Sequence, residues 1–449
     1  MMSTEFVKTA VPLSDWLERI SACHPENIEL GLTRVREVAE KMNILPKNIP
    51  VFTVAGTNGK GSTTAFIAEC LIMTGLKVGT FTSPHIIRFN ERIRVNGVEV
   101  NDGDLIAAFE RINENRKSTQ LTYFEFCTLA ALDIFSELIK KQQLDAIVLE
   151  VGLGGRLDAV NIVEPSVALV TSVGLDHTEW LGDTKEVIAL EKAGISRPSK
   201  PLILCQPDIP KTADAYAEEI GAKVWRCGEH YDFEVIQNAD QKQMRFSLQQ
   251  SSNLLKTCSL ALDNRWVPSN LAGAMVALFL AFPKVDWVSF NFSAVVKALK
   301  IPGRFQKIQA EPSVWLDVAH NVQACQALND RLQNYPTKGQ RIAVVGMLRD
   351  KRIKDCLEVM HDCVDLWYFA SLSGERALSA DEIFSEYKVI SDGFKRKTSA
   401  ACFENVAEAY KSAIESLQQE DQLIVFGSFY TVAEVLNVLN HSQRDLSES

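Results

Sequence analysis

A short glycine-rich loop lies between two apolar segments near the start of the chain, and it constrains the fold more than any other feature. Val51-Phe52-Thr53-Val54 predicts a buried strand, and Thr63 to Met73 carries apolar residues at helical spacing. Between them stands Ala55-Gly56-Thr57-Asn58-Gly59-Lys60-Gly61-Ser62. A strand, a glycine turn and a helix start build an anion site, because backbone N–H groups and the positive end of the helix dipole point into the turn. Lys60, flanked by Gly59 and Gly61, adds a cation for the outer phosphates of a nucleotide, and Ser62 offers a hydroxyl to Mg²⁺. The spacing departs from the usual phosphate loop. The glycine expected five positions before the Gly-Lys pair is Val54, and Gly56 stands three before it. The chain is expected to bind a nucleoside triphosphate; the alternative is a plain glycine turn with Lys60 on the surface.

From residue 50 to about 200, apolar strands alternate with helical stretches: Lys77 to Thr82, Ala146 to Leu149 and Val167 to Thr171 read as strands. Continuous apolar runs, not alternating ones, indicate a parallel sheet covered on both faces. Residues 225–265 differ, since Phe233 to Ile236 and Met244 to Leu248 alternate in polarity and predict a small antiparallel addition. After Ile301-Pro302-Gly303 the alternation restarts, with strands expected at Val314–Leu316, Ile342–Val345, Leu366–Phe369 and Leu423–Phe426. The fold class is therefore α/β in two domains. Residues 1–300 form a P-loop ATPase-like parallel sheet with the antiparallel addition, and 301–449 form a smaller Rossmann-like α/β domain. A chain of 449 residues is long enough for both. The tail after Asn440 reads as disordered.

The net charge of −10 argues against a nucleic-acid partner. Met1 to Leu13 shows no signal peptide, and the longest apolar run, Leu271 to Phe282, is too short to span a bilayer. No membrane partner and a cytoplasmic location are expected, with the ten scattered cysteines reduced and binding neither zinc nor each other. No interface stands out, so a monomer is the default.

In a parallel sheet, ligands gather beyond the carboxyl ends of the strands. Ser83, Glu150 and the Asp176-His177 pair all fall there, as does the phosphate loop. Glu150 and His177 could ligate a divalent ion, with Ser83 adding a hydroxyl, or they could be a helix-proximal carboxylate and a hydrogen-bonded loop residue. The three glycines between Glu150 and Asp158 either let a ligand approach the backbone or make a tight turn. Lys192 lies near the end of a helix that Thr184 caps and Gly194 ends, where a lysine ordinarily complements the dipole. In the second domain, Arg304 sits just past the boundary. Asp317 could hold a ribose hydroxyl or an adenine amine, or else Asp317 or Asn321 caps a helix. Asn270 is similarly either a ligand-facing residue or a cap.

Taken together, these segments resemble the dihydrofolate synthase/folylpolyglutamate synthase family within the Mur ligase superfamily. The resemblance rests on Ile28 to Val35, Val54 to Ser62, Thr82 to His85, Leu121 to Phe126, Leu149 to Asn161 and Asp176-His177-Thr178. It continues through Glu191 to Ile195, Pro302 to Phe305, Asp317 to Asn321 and Gly427-Ser428-Phe429. It implies an ATP-dependent ligase that phosphorylates a pteroate or folate carboxylate and lets the amine of L-glutamate attack the acyl phosphate. Substrates would be 7,8-dihydropteroate and reduced folates. Gly59 to Ser62 would hold the triphosphate, and Asn270, Arg304 and Asp317 would contact ATP. Two Mg²⁺ ions would be held by Ser62, Ser83, Glu150, His177 and Lys192, the last carbamylated. Lys60, His177 and Lys192 would be the catalytic side chains. Thr122, Tyr123, Phe124, Glu125, Leu157, Asp158 and Ala159 would bind dihydropteroate, although Tyr123 and Phe124 suit core packing equally well. A cell-wall Mur ligase would need an extra domain before the loop, where only ~50 residues stand. A non-catalytic nucleotide-binding module would have no use for the candidate metal ligands.

Overall fold

The structure, a computed structural model, describes residues 11–24, 28–237, 242–250 and 254–448. Residues 1–10, which hold most of the segment read for a signal peptide, lie outside it. The first domain is built on eight strands. They are β1 (Val51–Ala55), β2 (Val78–Phe81), β3 (Ile93–Val95), β4 (Val98–Glu99), β5 (Ala146–Glu150), β6 (Val167–Val170), β7 (Pro201–Leu204) and β8 (Lys223–Arg226). Their spatial order is β4-β3-β2-β5-β1-β6-β7-β8. From β2 to β8 the neighbours are parallel, while β3 and β4 add an antiparallel edge.

Every residue of β1, β2, β5 and β6 is buried, which is why these strands read as predominantly apolar segments and not as alternating ones. Side chains alternate between faces, so one strand feeds two cores. Phe52 and Val54 pack with the helices Lys60–Met73 and Pro268–Ala281. Val51 and Ala55 join the layer of helices Asp102–Arg116 and Tyr123–Lys140. The antiparallel addition has three strands, β9 (Tyr231–Gln237), β10 (Lys242–Gln250) and β11 (Leu254–Leu262), with β10 in the middle. Its inward residues Met244, Phe246 and Leu248 meet helix Pro268–Ala281, where Phe246 stacks on Phe279 at 5.9 Å.

The second domain holds β12 (Gln306–Gln309), β13 (Ser313–Leu316), β14 (Arg341–Val345), β15 (Leu366–Ala370), β16 (Ser399–Phe403) and β17 (Gln422–Phe426). Their order is β12-β13-β17-β14-β15-β16, parallel throughout except for β12. The tail reading is corrected: helix Phe429–Glu448 runs on past Asn440. Val432 and Val435 bury against the second sheet and Leu436 and Leu439 pack beside them, so apolar anchors at helical spacing carry the polar end along. All ten cysteines are free thiols. Among the described residues no helix is long and apolar enough to cross a membrane.

Gly79 marks where this sheet has no slack. A Cβ there would lie 2.8 Å from Phe135 and 3.2 Å from Leu144. Gly79→Ala should therefore destabilise the protein by about 1–3 kcal/mol, read as a lower urea midpoint. An unchanged midpoint would mean that the Phe135 ring yields.

Candidate active site

The carboxyl ends of β1, β2, β5 and β6 open into one cavity of about 500 Å³, and the second domain closes its far side. The phosphate loop forms its floor. Gly56 and Gly59 take φ of 147° and 84°, and each also lies against a neighbour that leaves no room for a side chain. A Cβ on Gly56 would run into Thr171 Oγ1, and one on Gly59 into the Asn270 amide. Thr171 Oγ1 donates to the Asn58 carbonyl at 2.7 Å, Ser172 Oγ accepts from the Asn58 N–H at 3.0 Å, and the Thr57 N–H donates to the Ser172 carbonyl at 2.9 Å. The loop is thus tied to the end of β6. Helix Lys60–Met73 starts at Gly59, so its free N–H groups face the cavity. Lys60 Nζ donates to the Gly56 and Thr57 carbonyls at 2.9 and 3.3 Å. Burial lowers its pKa, while Glu150 and Asp176 hold it up.

Glu150 ends β5 with its side chain buried and accepts the Ser83 N–H at 3.0 Å. Burial raises its pKa, offset by Lys60 and by that N–H. Gly61 keeps the helix close to it, since a Cβ there would stand 3.4 Å from Glu150 Oε2. His177 has a positive φ of 52°, and its N–H donates to Asp176 Oδ1 at 2.9 Å. Burial and the Lys351 charge pull its imidazole down to about 4, which leaves it neutral at physiological pH. Lys192 is 3% exposed and lines the cavity instead of reaching solvent. Burial, and then the Lys60 charge, lower its pKa to about 7. A cation serving only the helix dipole would stay in water, so that reading of Lys192 loses its support.

From the second domain come Arg304, whose guanidinium lies 5.0 Å from the Phe429 ring centre, and Asp317. Asp317 accepts the Phe305 and Ala319 N–H groups, each at 2.9 Å, and faces Arg331 at 3.5 Å. It caps no helix. Asn321 does, accepting the Ala324 N–H at 2.9 Å. Asn270 is not a cap either, because its helix begins at Pro268 after Val267. Its Oδ1 is buried with no hydrogen-bond partner, on a residue that lines the cavity.

Thr122 to Glu125 and Leu157 to Ala159 are not among the cavity-lining residues. Thr122 and Glu125 form a reciprocal cap on helix Tyr123–Lys140, and Glu125 also meets Arg34 at 3.3 Å. Tyr123 lies under the Arg92 guanidinium at 5.6 Å, and Phe124 stands against Phe81 and the space beside Gly152. Asp158 accepts the Leu153 and Val160 N–H groups, the Leu157 carbonyl accepts from Gly31, and Ala159 is buried. Burial raises Asp158 to about 6. Since Arg92, Gly152 and Leu153 do line the cavity, both segments sit one layer behind its wall.

Sequence reading missed Arg92, Arg331 and Lys351, which all reach the cavity. Lys351 lies in the loop beyond the carboxyl end of buried β14, a weaker form of the strand-end signal that singled out Glu150 at the end of β5. Basic side chains clearly outnumber Glu150, Asp176 and Asp317 in the lining, so an acidic chain presents an electropositive cavity suited to anions.

The model of the Mur ligase middle domain matches residues 54–278, and that of the Mur ligase glutamate ligase domain matches 303–429. The dihydrofolate synthase/folylpolyglutamate synthase of Escherichia coli (strain K12) is 39% identical over 434 residues, which cover 96% of this chain and 97% of that protein. The protein of the same name from Haemophilus influenzae is 36% identical over 451 residues, covering 96% and 99%. Among solved structures, E. coli FolC in complex with DHPP and ADP aligns with a TM-score of 0.87 at 38% identity, covering 97% of this chain and 99% of that one. A bifunctional folylpolyglutamate synthase/dihydrofolate synthase from Yersinia pestis, complexed with AMPPNP and Mn ion, gives 0.84 at 37% identity, covering 97% and 100%. With a cavity that joins a phosphate loop on one domain to Arg304 and Asp317 on the other, and with relatives this similar over nearly its whole length, the chain belongs to the dihydrofolate synthase/folylpolyglutamate synthase family of Mur ligases.

Proposed function

We propose that the cavity joins L-glutamate to 7,8-dihydropteroate, and to the glutamate tail of reduced folates, in two steps driven by ATP. A carboxylate oxygen of the acceptor attacks the γ-phosphorus, the bond to the β-phosphate breaks, and ADP leaves. The deprotonated amine of glutamate then adds to the acyl phosphate, and the tetrahedral intermediate expels phosphate as the amide forms. One observation carries this reading: the phosphate loop, Glu150, His177 and Lys192 of the first domain face Arg304 and Asp317 of the second across a single cavity. Such chemistry depends on positioning and on neutralising developing charge. Gly59, Lys60, Gly61 and Ser62 supply both at the triphosphate, while Asn270, Arg304 and Asp317 orient the nucleoside. Lys60, His177 and Lys192 are the side chains assigned to catalysis.

The donors present suit a hard divalent cation. Ser62, Ser83, Glu150 and neutral His177 offer oxygen and one imidazole nitrogen, and among the described residues no three acidic, His or Cys side chains form a closed cage. Mg²⁺ binds in this way, keeping waters and phosphate oxygens as its other ligands. Bound there, it would neutralise charge on the transferring phosphoryl group. A second ion calls for another anionic ligand. Lys192, with a pKa of about 7, holds enough neutral amine to add CO₂ with loss of a proton, which converts it to a carbamate.

Thr122 to Glu125 and Leu157 to Ala159 would shape the dihydropteroate site through Arg92, Gly152 and Leu153, which stand in front of them. The division of domains falls at 300/301, and Ile301-Pro302-Gly303 is the hinge, with Gly303 at a φ of 65°. Closure would shield the acyl phosphate from water. The chain is taken to work as a cytoplasmic monomer on small molecules, its net charge of −10 weighing against a nucleic-acid partner.

Phosphate release from MgATP and L-glutamate should occur with dihydropteroate and with tetrahydrofolate, and not without an acceptor. Silence with both acceptors would overturn the proposed function, and release with tetrahydrofolate alone would remove the role given to Thr122–Glu125. Lys60→Ala should lower kcat by about 10²–10³; a value within a few-fold of wild type would exclude Lys60 from phosphoryl transfer. Lys192→Ala should slow turnover and regain part of it in short carboxylates such as acetate, with native mass spectra of the wild type showing bound CO₂. No rescue and no added mass would argue for a free ammonium.

A further inference from the structure

Asp176 stands in the first domain beyond β6, yet most of its partners come from the second. Lys351 Nζ lies 2.7 Å from Asp176 Oδ1, Asn321 Nδ2 donates to Oδ2 at 3.0 Å, and His320 Nε2 is 3.6 Å from that same oxygen. The Lys351 and Asp176 side chains are only 5% and 9% exposed. Removing one partner of so buried a pair leaves the other charge uncompensated, which costs far more than the pair itself contributes.

The contact extends to both halves of the first-domain site. Asn321 and the phosphate-loop residue Asn58 exchange amide hydrogen bonds, each 3.1 Å, and Gln323 Oε1 accepts from Asn58 Nδ2 at 2.9 Å. On the other side, Asp176 accepts the His177 N–H, and Lys351 Nζ is 3.4 Å from His177 Nε2. His177 keeps a positive φ, which a residue other than glycine holds only where its surroundings determine it.

We infer that Lys351 is a positioning residue: by docking on Asp176 it sets the His177 turn and, through Asn321 and Asn58, the phosphate loop, so that the site is complete only with the two domains closed. This rests on the function proposed above and names the contact that couples closure to that site. Separation of the domains would take from Asp176 its lysine, its second-domain histidine and its amide donor together. The same movement would release Asn58 from Asn321 and Gln323. Nucleotide loop, imidazole turn and second domain therefore form one unit, with a single carboxylate at its centre.

The test compares wild type with Lys351→Met, Lys351→Arg, Asp176→Asn and the Lys351→Met/Asp176→Asn double variant. Lys351→Met should lower kcat at least about 30-fold and also raise KM for ATP, since Arg304 and Asp317 would no longer close on the nucleotide, and Lys351→Arg should recover most of both. The double variant should be no slower than the slower single, because the shared contact is lost once. In solution scattering with MgADP, Lys351→Met should have a larger radius of gyration than wild type. Wild-type kcat in Lys351→Met, losses that multiply in the double variant, or equal radii would each overturn the inference. Asp176→Asn breaks the same pair from the other side, so insolubility of one variant leaves the comparison intact. A wild type that releases no phosphate with either acceptor would sink the proposed function instead, while the scattering of ADP-bound variants would still decide whether this contact closes the domains.

Discussion

Burial of strands on both faces is the constraint from which the rest of the structure follows. Backbone polar groups in β1, β5 and β6 have no access to water, so they must be paired, and parallel neighbours pair them while helices cover both sides. A sheet closed in this way leaves chemistry only one place to occur, the edge where strands end and helices begin. Glu150, Thr171 and the phosphate loop are all brought to that edge by strand length alone. The second domain obeys the same rule from the opposite side, with Asp317 past β13 and Lys351 past β14. Two such edges facing each other make a cavity that neither domain could enclose alone.

Charge inside this cavity is organised by desolvation. Burial acts on Lys60, Glu150, His177 and Lys192 alike and favours the uncharged form of each, with neighbouring charges restoring part of the balance. The cavity therefore presents side chains that burial has already pushed toward their uncharged forms. Asp176 is the exception. Burial opposes its ionisation as well, but the His320 hydrogen bond and the Lys351 charge hold its carboxyl well below the ordinary range. It stays an anion while its neighbours are pushed toward neutrality, which suits a group whose task is to gather cations.

Much of this was legible in the sequence, for local reasons. Apolar continuity located the strands, glycine spacing located the loop, and strand ends located Ser83, Glu150, His177 and Asp317. What escaped notice depends on long-range contact. Lys351 lies within Arg349-Asp350-Lys351-Arg352, a charge run that looks like a solvated turn, and only its pairing with Asp176 sets it apart. Arg92 was invisible for a similar reason, since it ends a short 3₁₀ turn and finds His85 and Tyr123 by packing. The alternatives left open at Asn270, Asp317 and Asn321 could not be separated from sequence, because a capping amide and a ligand-facing one call for the same residue types. The helix end past Asn440 was missed because its stability comes from Val432 and Val435 upstream and not from its own composition.

Helix Pro268–Ala281 is apolar on nearly every side, wedged between the main sheet and the small antiparallel one. Its first turn carries Asn270 against Gly59, while residues further along, Phe279 among them, are gripped by β10. The small sheet thus behaves as a lever arm resting on the far end of a rigid rod whose tip touches the phosphate loop. A substitution in β10 that shifts Phe279 would therefore bear on the contact of Asn270 with Gly59 at the other end of the helix, although none of the described residues of that sheet lines the cavity.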